Sequence, residues 1–205
     1  ASECHPERSA AKSKDPAKKK SKTADPKQII PLDKSEAPFE IPENWEWVRL
    51  GDIGDWQSGT TPSKSNSAYY EDGTIPWLNT GDLNDGIVTE IPKMVTEKAL
   101  NETSLRLNAA GSVCIAMYGA TIGKLGILSV PATTNQACCV CNNLKAGVEK
   151  MWLFYFLMNH KKEFIEAGFG GAQPNISKEK IGNIHKGLKH SEETKKKQNE
   201  EEIVF

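Results

Sequence analysis

Residues 111–128 read GSVCIAMYGATIGKLGIL. The apolar, β-rich run GSVCIAM (111–117) and the run LGILSV (125–130) flank a turn bracketed by Gly119 and Gly123. Two short apolar runs joined through a glycine turn read as a β-hairpin. A lysine after the second glycine raises a competing reading, a phosphate-binding loop. That motif is G-x-x-x-x-G-K-[ST], long enough for backbone N–H groups to wrap the phosphates, with a hydroxyl that ligates magnesium. Here the glycines stand one residue too close, and Leu125 occupies the hydroxyl position. The loop does not close around a triphosphate in that way, and the hairpin reading stands.

Outward from the hairpin, NQACCVCNNL (135–144) reads as another buried strand and TIPWLNT (74–80) as a further one, followed by the turn GDLNDG. In IPENWEWVRLGDI (41–53), Pro42 and Asn44 end an extended arm, and Trp45, Trp47, Val48, Leu50 and Ile53 begin a core. QSGTTPSKSNSAYYEDG (57–73) is a long polar loop anchored by Ala68, Tyr69 and Tyr70, and loops of that length inside a compact domain are usually functional or disordered. Thr96 is placed to N-cap a short helix through Leu105. Residues Glu149 to Ala167 predict one long helix of about five turns, with Gly168 as its C-cap. Its apolar face carries Trp152, Phe156 and Phe164, with Lys161, Lys162 and Glu163 outward. GFGGAQPNIS (168–177) is a second glycine-rich loop, after which Ser177 caps a short segment to Ile184. No internal repeat is present. The fold class is α+β: a β-dominated, mixed, twisted-sheet domain with one long helix.

Composition sets the boundaries. Of the 205 residues 38% are hydrophobic, and the deficit sits at the ends. Residues 45–184 hold all five Trp and all four Tyr, enough chain to bury a sizeable core. Residues 1–44 read as a low-complexity basic leader, and residues 185–205 as a polar, charged tail. Net charge is −1, so the whole chain is no electrostatic magnet for nucleic acid. Between Arg8 and Lys27, however, eight Lys or Arg stand against two Asp. A disordered, solvated leader is favoured there over a basic arm touching phosphates, because no aromatic interleaves the lysines. The five cysteines make no disulfide framework, since the count is odd and three crowd one apolar segment. Cys138 and Cys141 form a C-x-x-C, but a zinc site needs a second pair of ligands at comparable spacing. Buried reduced thiols in a strand are the better account, consistent with a cytoplasmic protein. The N-terminus lacks the apolar core of a signal peptide, and the apolar run MWLFYFLM (151–158) is far too short to span a bilayer.

The groups an enzyme needs are missing from the expected positions. The four histidines, His5, His160, His185 and His190, fall outside the expected strands. No Ser or Cys sits in a G-x-S-x-G elbow. The nuclease pattern E-x-K occurs at Glu193–Lys195, in the tail, without a core to hold it. GFGGA is not G-x-G-x-x-G following a strand, so neither a dinucleotide nor a methyl donor is supported. Asp82 and Asp85 read as ordinary turn acids. Catalysis by this chain is not expected, and no metal or cofactor site is assigned to it.

The polar loops and the glycine turn fit one family. IPENWEWVRLGDI, SGTTPSKSNSAYYEDGTIPWLNTGDL, LRLNAAGSVCIAMYGATIGKLGIL, TNQACC and GGAQPNISKEKIGNI, in that order from Pro38 to Ile184, resemble the target recognition domain of type I restriction-modification specificity subunits. The resemblance implies a DNA-reading module. In that family two such domains, joined by long helical spacers, each read half of a bipartite double-stranded DNA site. Partner modification subunits methylate adenine with S-adenosylmethionine, and restriction subunits use ATP and magnesium to translocate and cut.

Reading a base edge takes Asn, Gln, Ser, Thr, Lys or Arg held by a scaffold. The candidates are Thr60, Thr61, Ser63, Lys64 and Asn66 in the long loop, Tyr118, Thr121 and Lys124 in the hairpin turn, and Gln173 and Asn175 in the second glycine loop. Lys124 is expected near a phosphate. Gln173 and Asn175 either brace the backbone or contact DNA. Because the motifs are common to family members that read different sequences, they are expected to serve scaffold or phosphate contacts more than base choice.

The chain departs from the family after GNI. Glu192/Lys196 and Glu193/Lys197 have favourable helical spacing, but residues 191–202 hold no apolar side chain and so no seam for a partner helix. One recognition domain, rather than two, is expected in this sequence. A half-subunit that dimerises, a remnant of an interrupted specificity subunit, and an adaptor or decoy that binds the modification subunit without DNA all fit these features.

Overall fold

A computed structural model describes residues 29, 31–37, 39–43, 45–145, 147–168 and 176–189. The disorder expected of residues 1–28 and the helical spacing at 192–197 lie outside the described residues.

The hairpin is present: β6 (Val113–Ala116) pairs antiparallel with β7 (Leu125–Leu128). It forms the middle of a five-stranded sheet, completed by β2 (Asp55–Ser58) and β9 (Cys138–Asn142) on one side and β4 (Gly86–Val88) on the other. The order is β2-β9-β6-β7-β4, antiparallel except for the β4–β7 pair. The three central strands are buried on both faces, which explains why their sequences are continuous apolar runs rather than alternations. On one face Val113, Ile115, Leu125, Cys139 and Cys141 pack with helix residues Leu153, Phe156 and Phe164. On the other, Cys114, Ala116, Cys138 and Val140 meet Leu78, Leu83 and Val88.

This alternation puts Cys138 and Cys141 on opposite faces of the sheet, so their C-x-x-C does not converge on one ion. Cys114, Cys138, Cys139 and Cys141 are all buried and unpaired. Among the described residues no group of three or more His, Cys, Asp or Glu is arranged to hold a metal.

A second sheet of three short strands packs beside the first: β3 (Ile75–Leu78) between β5 (Met94–Val95), antiparallel, and β8 (Thr133–Thr134), parallel. Ile75, Trp77 and Val95 share a small core with Ala99 of α1 (Glu97–Glu102). The Thr96 hydroxyl caps α1 by accepting from the Ala99 N–H at 3.2 Å. The helix stops short of Leu105, because Thr103 turns extended and its hydroxyl donates back to the Ala99 carbonyl at 2.7 Å.

The expected long helix is two. α2 (Lys150–Asn159) and α3 (Lys161–Gly168) meet at His160, whose φ of −93° and ψ of 4° leave the helical region. His160 Nδ1 lies 2.9 Å from the Phe156 carbonyl and its ring sits tilted over that of Phe156, centroids 4.2 Å apart, a local cap that neither Gly nor Pro announces. Ser177 caps α4 (Lys178–Gly182) by accepting from the Lys180 N–H at 3.1 Å.

Two segments extend the ordered domain past the expected boundaries. β10 (His185–Lys189) pairs antiparallel with β1 (Trp45–Arg49), although residues 185–189 are expected in the polar tail. Within the expected leader, Leu32 is buried and its N–H donates to the Trp47 carbonyl at 2.6 Å. Phe39 packs edge-on against Trp47, whose indole N–H donates back to the Phe39 carbonyl at 3.0 Å. No helix among the described residues is long and apolar enough to cross a membrane.

Candidate nucleic-acid interface

Strand register brings sequence-distant segments to one end of the five-stranded sheet. Ser58 pairs with Cys139, Ala116 with Cys138, Ile115 with Leu125, and Gly86 with Gly126. The loop from Gly59, the segment ending at Ala137, the turn 118–124 and Asp85 therefore all emerge at that end. The second sheet contributes there too: β3 and β8 run parallel into Asn79 and Asn135, and Asn135 N–H donates to the Leu78 carbonyl at 2.9 Å.

The loop that opens at Gly59 is held at many points. Gly59 presses so closely on β8 that a Cβ would fall 2.3 Å from the Thr134 and Asn135 carbonyl oxygens. Thr60 Oγ1 lies 3.0 Å from Ser104 Oγ, and its carbonyl accepts from the Trp77 indole at 3.1 Å. Thr61 Oγ1 donates to Gln136 Oε1. Tyr70 hydroxyl donates to the Pro62 carbonyl at 2.6 Å, and Thr96 hydroxyl to the Ala68 carbonyl at 2.8 Å. Farther out, Ser63 and Ser65 hydroxyls pair at 2.8 Å, Lys64 is exposed, and Asn66 opens a 3-10 turn, Ser67–Tyr69.

In the hairpin turn, Gly119 and Gly123 have φ of +80° and +78°, values costly for other residues. They differ in surroundings: a Cβ at Gly119 would meet open space, whereas one at Gly123 would lie 3.1 Å from Ile165 of α3. Thr121 is half-buried, and its carbonyl accepts from the Lys124 N–H at 2.9 Å. Tyr118 packs half-buried against the main core, and burial pushes its phenol up.

Lys124 stands near Asp85, which also holds Lys161 at 2.6 Å. Partial burial pushes the Asp85 carboxyl up. The Lys161 ammonium, the Leu125 N–H and the field of Lys124 outweigh it and hold the group below its ordinary value. Lys178, in the first turn of α4, is close enough to favour the Cys139 thiolate.

Thr60, Thr61, Tyr118, Thr121 and Lys124 thus share one sheet end, and Ser63, Lys64 and Asn66 extend from the loop rooted there. Gln173 and Asn175 lie outside the described residues. They precede Ile176, whose N–H donates to the Met117 carbonyl at 2.7 Å. Gln136, inside TNQACC, carries no signal of its own, whereas Asp85, expected as an ordinary turn acid, and Lys161, expected to face outward, form an ion pair that spans 76 residues. Thr134 Oγ1 and Asn135 Oδ1 are buried here without a hydrogen-bond partner among the described residues.

Polar loops held at one end of a sheet are where binding residues most often sit. The chain belongs to the type I restriction modification DNA specificity domain family, whose model matches residues 42–185. It is 36% identical over 94 residues to the type I restriction enzyme EcoR124I/EcoR124II specificity subunit of Escherichia coli, a match covering 44% of this chain and 23% of that protein. It is 32% identical over 165 residues to the MjaVIII specificity subunit of Methanocaldococcus jannaschii, covering 76% of this chain and 38% of that one. Its fold matches the crystal structure of the HsdS subunit from Thermoanaerobacter tengcongensis with a TM-score of 0.60 at 20% identity, over 82% of this chain and 40% of that chain. The chain thus spans well under half the length of these relatives.

Proposed function

We propose that this chain is a DNA target recognition domain, which reads one half of a bipartite double-stranded site for a type I restriction-modification enzyme in the cytoplasm. Beyond family membership, the observation that carries this reading is the gathering of four sequence-distant segments at one sheet end. Three of them bring Thr, Gln, Asn or Lys, the side chains that meet base edges and phosphates, and the fourth brings Asp85. Lys124 and Lys64 serve as phosphate contacts. Thr60, Thr61, Ser63, Asn66, Tyr118 and Thr121 shape or touch the groove, and Gln173 and Asn175 remain candidates for further DNA contacts. Methyl transfer and cleavage belong to partner modification and restriction subunits, which use S-adenosylmethionine, ATP and magnesium.

Titrating the full chain with random-sequence duplex over a range of salt tests this. Phosphate contacts make the logarithm of affinity fall with the logarithm of salt, by about 0.9 per phosphate neutralised. Affinity indifferent to salt, or no affinity, contradicts the proposal and leaves the protein-interaction module.

A further inference from the structure

We infer that Asp85 restrains sequence-independent DNA binding by holding Lys161 in an ion pair at the sheet end where DNA is proposed to sit. The inference rests on that functional reading and deepens it. Asp85 precedes β4 with φ +57°, a left-handed conformation that Asn tolerates as Asp does and Gly adopts freely. Its backbone N–H donates to the Leu125 carbonyl at 2.9 Å, and its Oδ1 accepts the Leu125 N–H at 2.9 Å. An asparagine oxygen takes that second bond equally well. What only the carboxylate adds is charge, and its other oxygen directs that charge to Lys161 Nζ at 2.6 Å.

Lys161 opens α3, which packs on the turn through Gly123, so its ammonium lies beside the turn that carries Lys124. The side chains of Lys161 and Asp85 are 26% and 34% exposed. That is open enough for a phosphate to compete for the ammonium. A carboxylate fixed on Lys161, in the field of Lys124, lowers the attraction any duplex feels. It leaves base contacts to decide which duplex stays, since phosphate attraction is the same for every sequence.

The test compares native chain, Asp85→Asn, Lys161→Gln and the double variant, each binding random-sequence duplex across a salt series. Asp85→Asn is expected to bind about three- to tenfold tighter at low salt, with a salt slope steeper by about 0.9, one phosphate's worth. Adding Lys161→Gln to Asp85→Asn is expected to abolish that gain. Unchanged or weaker binding by folded Asp85→Asn overturns the inference, and so does a gain that survives loss of Lys161. Should Asp85→Asn fail to unfold cooperatively, Asp85→Gly, suited to the same φ, carries the same comparison. Native chain without salt-dependent affinity overturns the DNA reading itself, a failure seen before any substitution is made.

Discussion

The indole N–H of Trp77, on the second sheet, donates to the carbonyl of Thr60 at 3.1 Å and so fastens the first turn of the long polar loop to the scaffold. Tyr70 packs edge-on against the same indole while its hydroxyl ties down Pro62. A loop that is polar in sequence is therefore positioned by aromatic side chains beneath it.

Trp77→Phe keeps most of the packing and removes the donor. The expected cost is roughly 1 kcal/mol of stability, the net worth of one such hydrogen bond. DNA affinity is expected to fall about three- to tenfold through the loosened loop. Denaturant titration and DNA binding measured side by side check both effects.

Lys124→Ala is expected to weaken binding about equally across DNA sequences and to reduce the salt slope by about one phosphate. A loss confined to one sequence would instead place Lys124 at a base edge.

Asn108 organises a polar network in the interior. Its Oδ1 accepts from Gln57 Nε2 at 2.7 Å and from Asn142 Nδ2 at 3.0 Å, and its Nδ2 donates to the Ala132 carbonyl at 2.9 Å. Asn142 Oδ1 accepts in turn from the Ser112 hydroxyl at 2.5 Å. Asn108→Ala leaves several of these groups unpaired, and the expected loss is at least ~2 kcal/mol, read from chemical denaturation.

Burial pushes the Cys139 thiol up to about 12. In the unfolded chain the thiol titrates near its ordinary value of 9.0, so above that pH the unfolded state sheds a proton that the folded state keeps. Stability is expected to be level below about pH 8.5 and to fall as pH rises toward 12, with Cys139→Ala flattening part of the decline. Asp85 acts at the other end of the scale. Its lowered carboxyl contributes stability above the unfolded value of about 3.9 and loses it as pH falls below that.

The sequence showed what neighbours in the chain decide. The β6–β7 hairpin follows from two apolar runs around Gly119 and Gly123, β9 from its buried cysteine run, and the starts of α1 and α4 from Thr96 and Ser177. Nonlocal features stayed hidden. The parallel pairs β4–β7 and β3–β8 join segments far apart in sequence, and β10 has the sequence HKGLK, which carries little apolar signal. The break at His160 depends on a ring-to-carbonyl contact rather than on a breaker residue. For the site, the polar loops were legible as motifs. That Gln136 meets Thr61, or Asp85 meets Lys161, needed the strand register.

The most direct measurement assembles the full chain with a type I modification subunit, supplies S-adenosylmethionine and random-sequence DNA, and sequences the methylated adenines. Methylation is expected at one defined bipartite motif. A complex that methylates without sequence preference would contradict a recognition role, and so would one that assembles but binds no DNA.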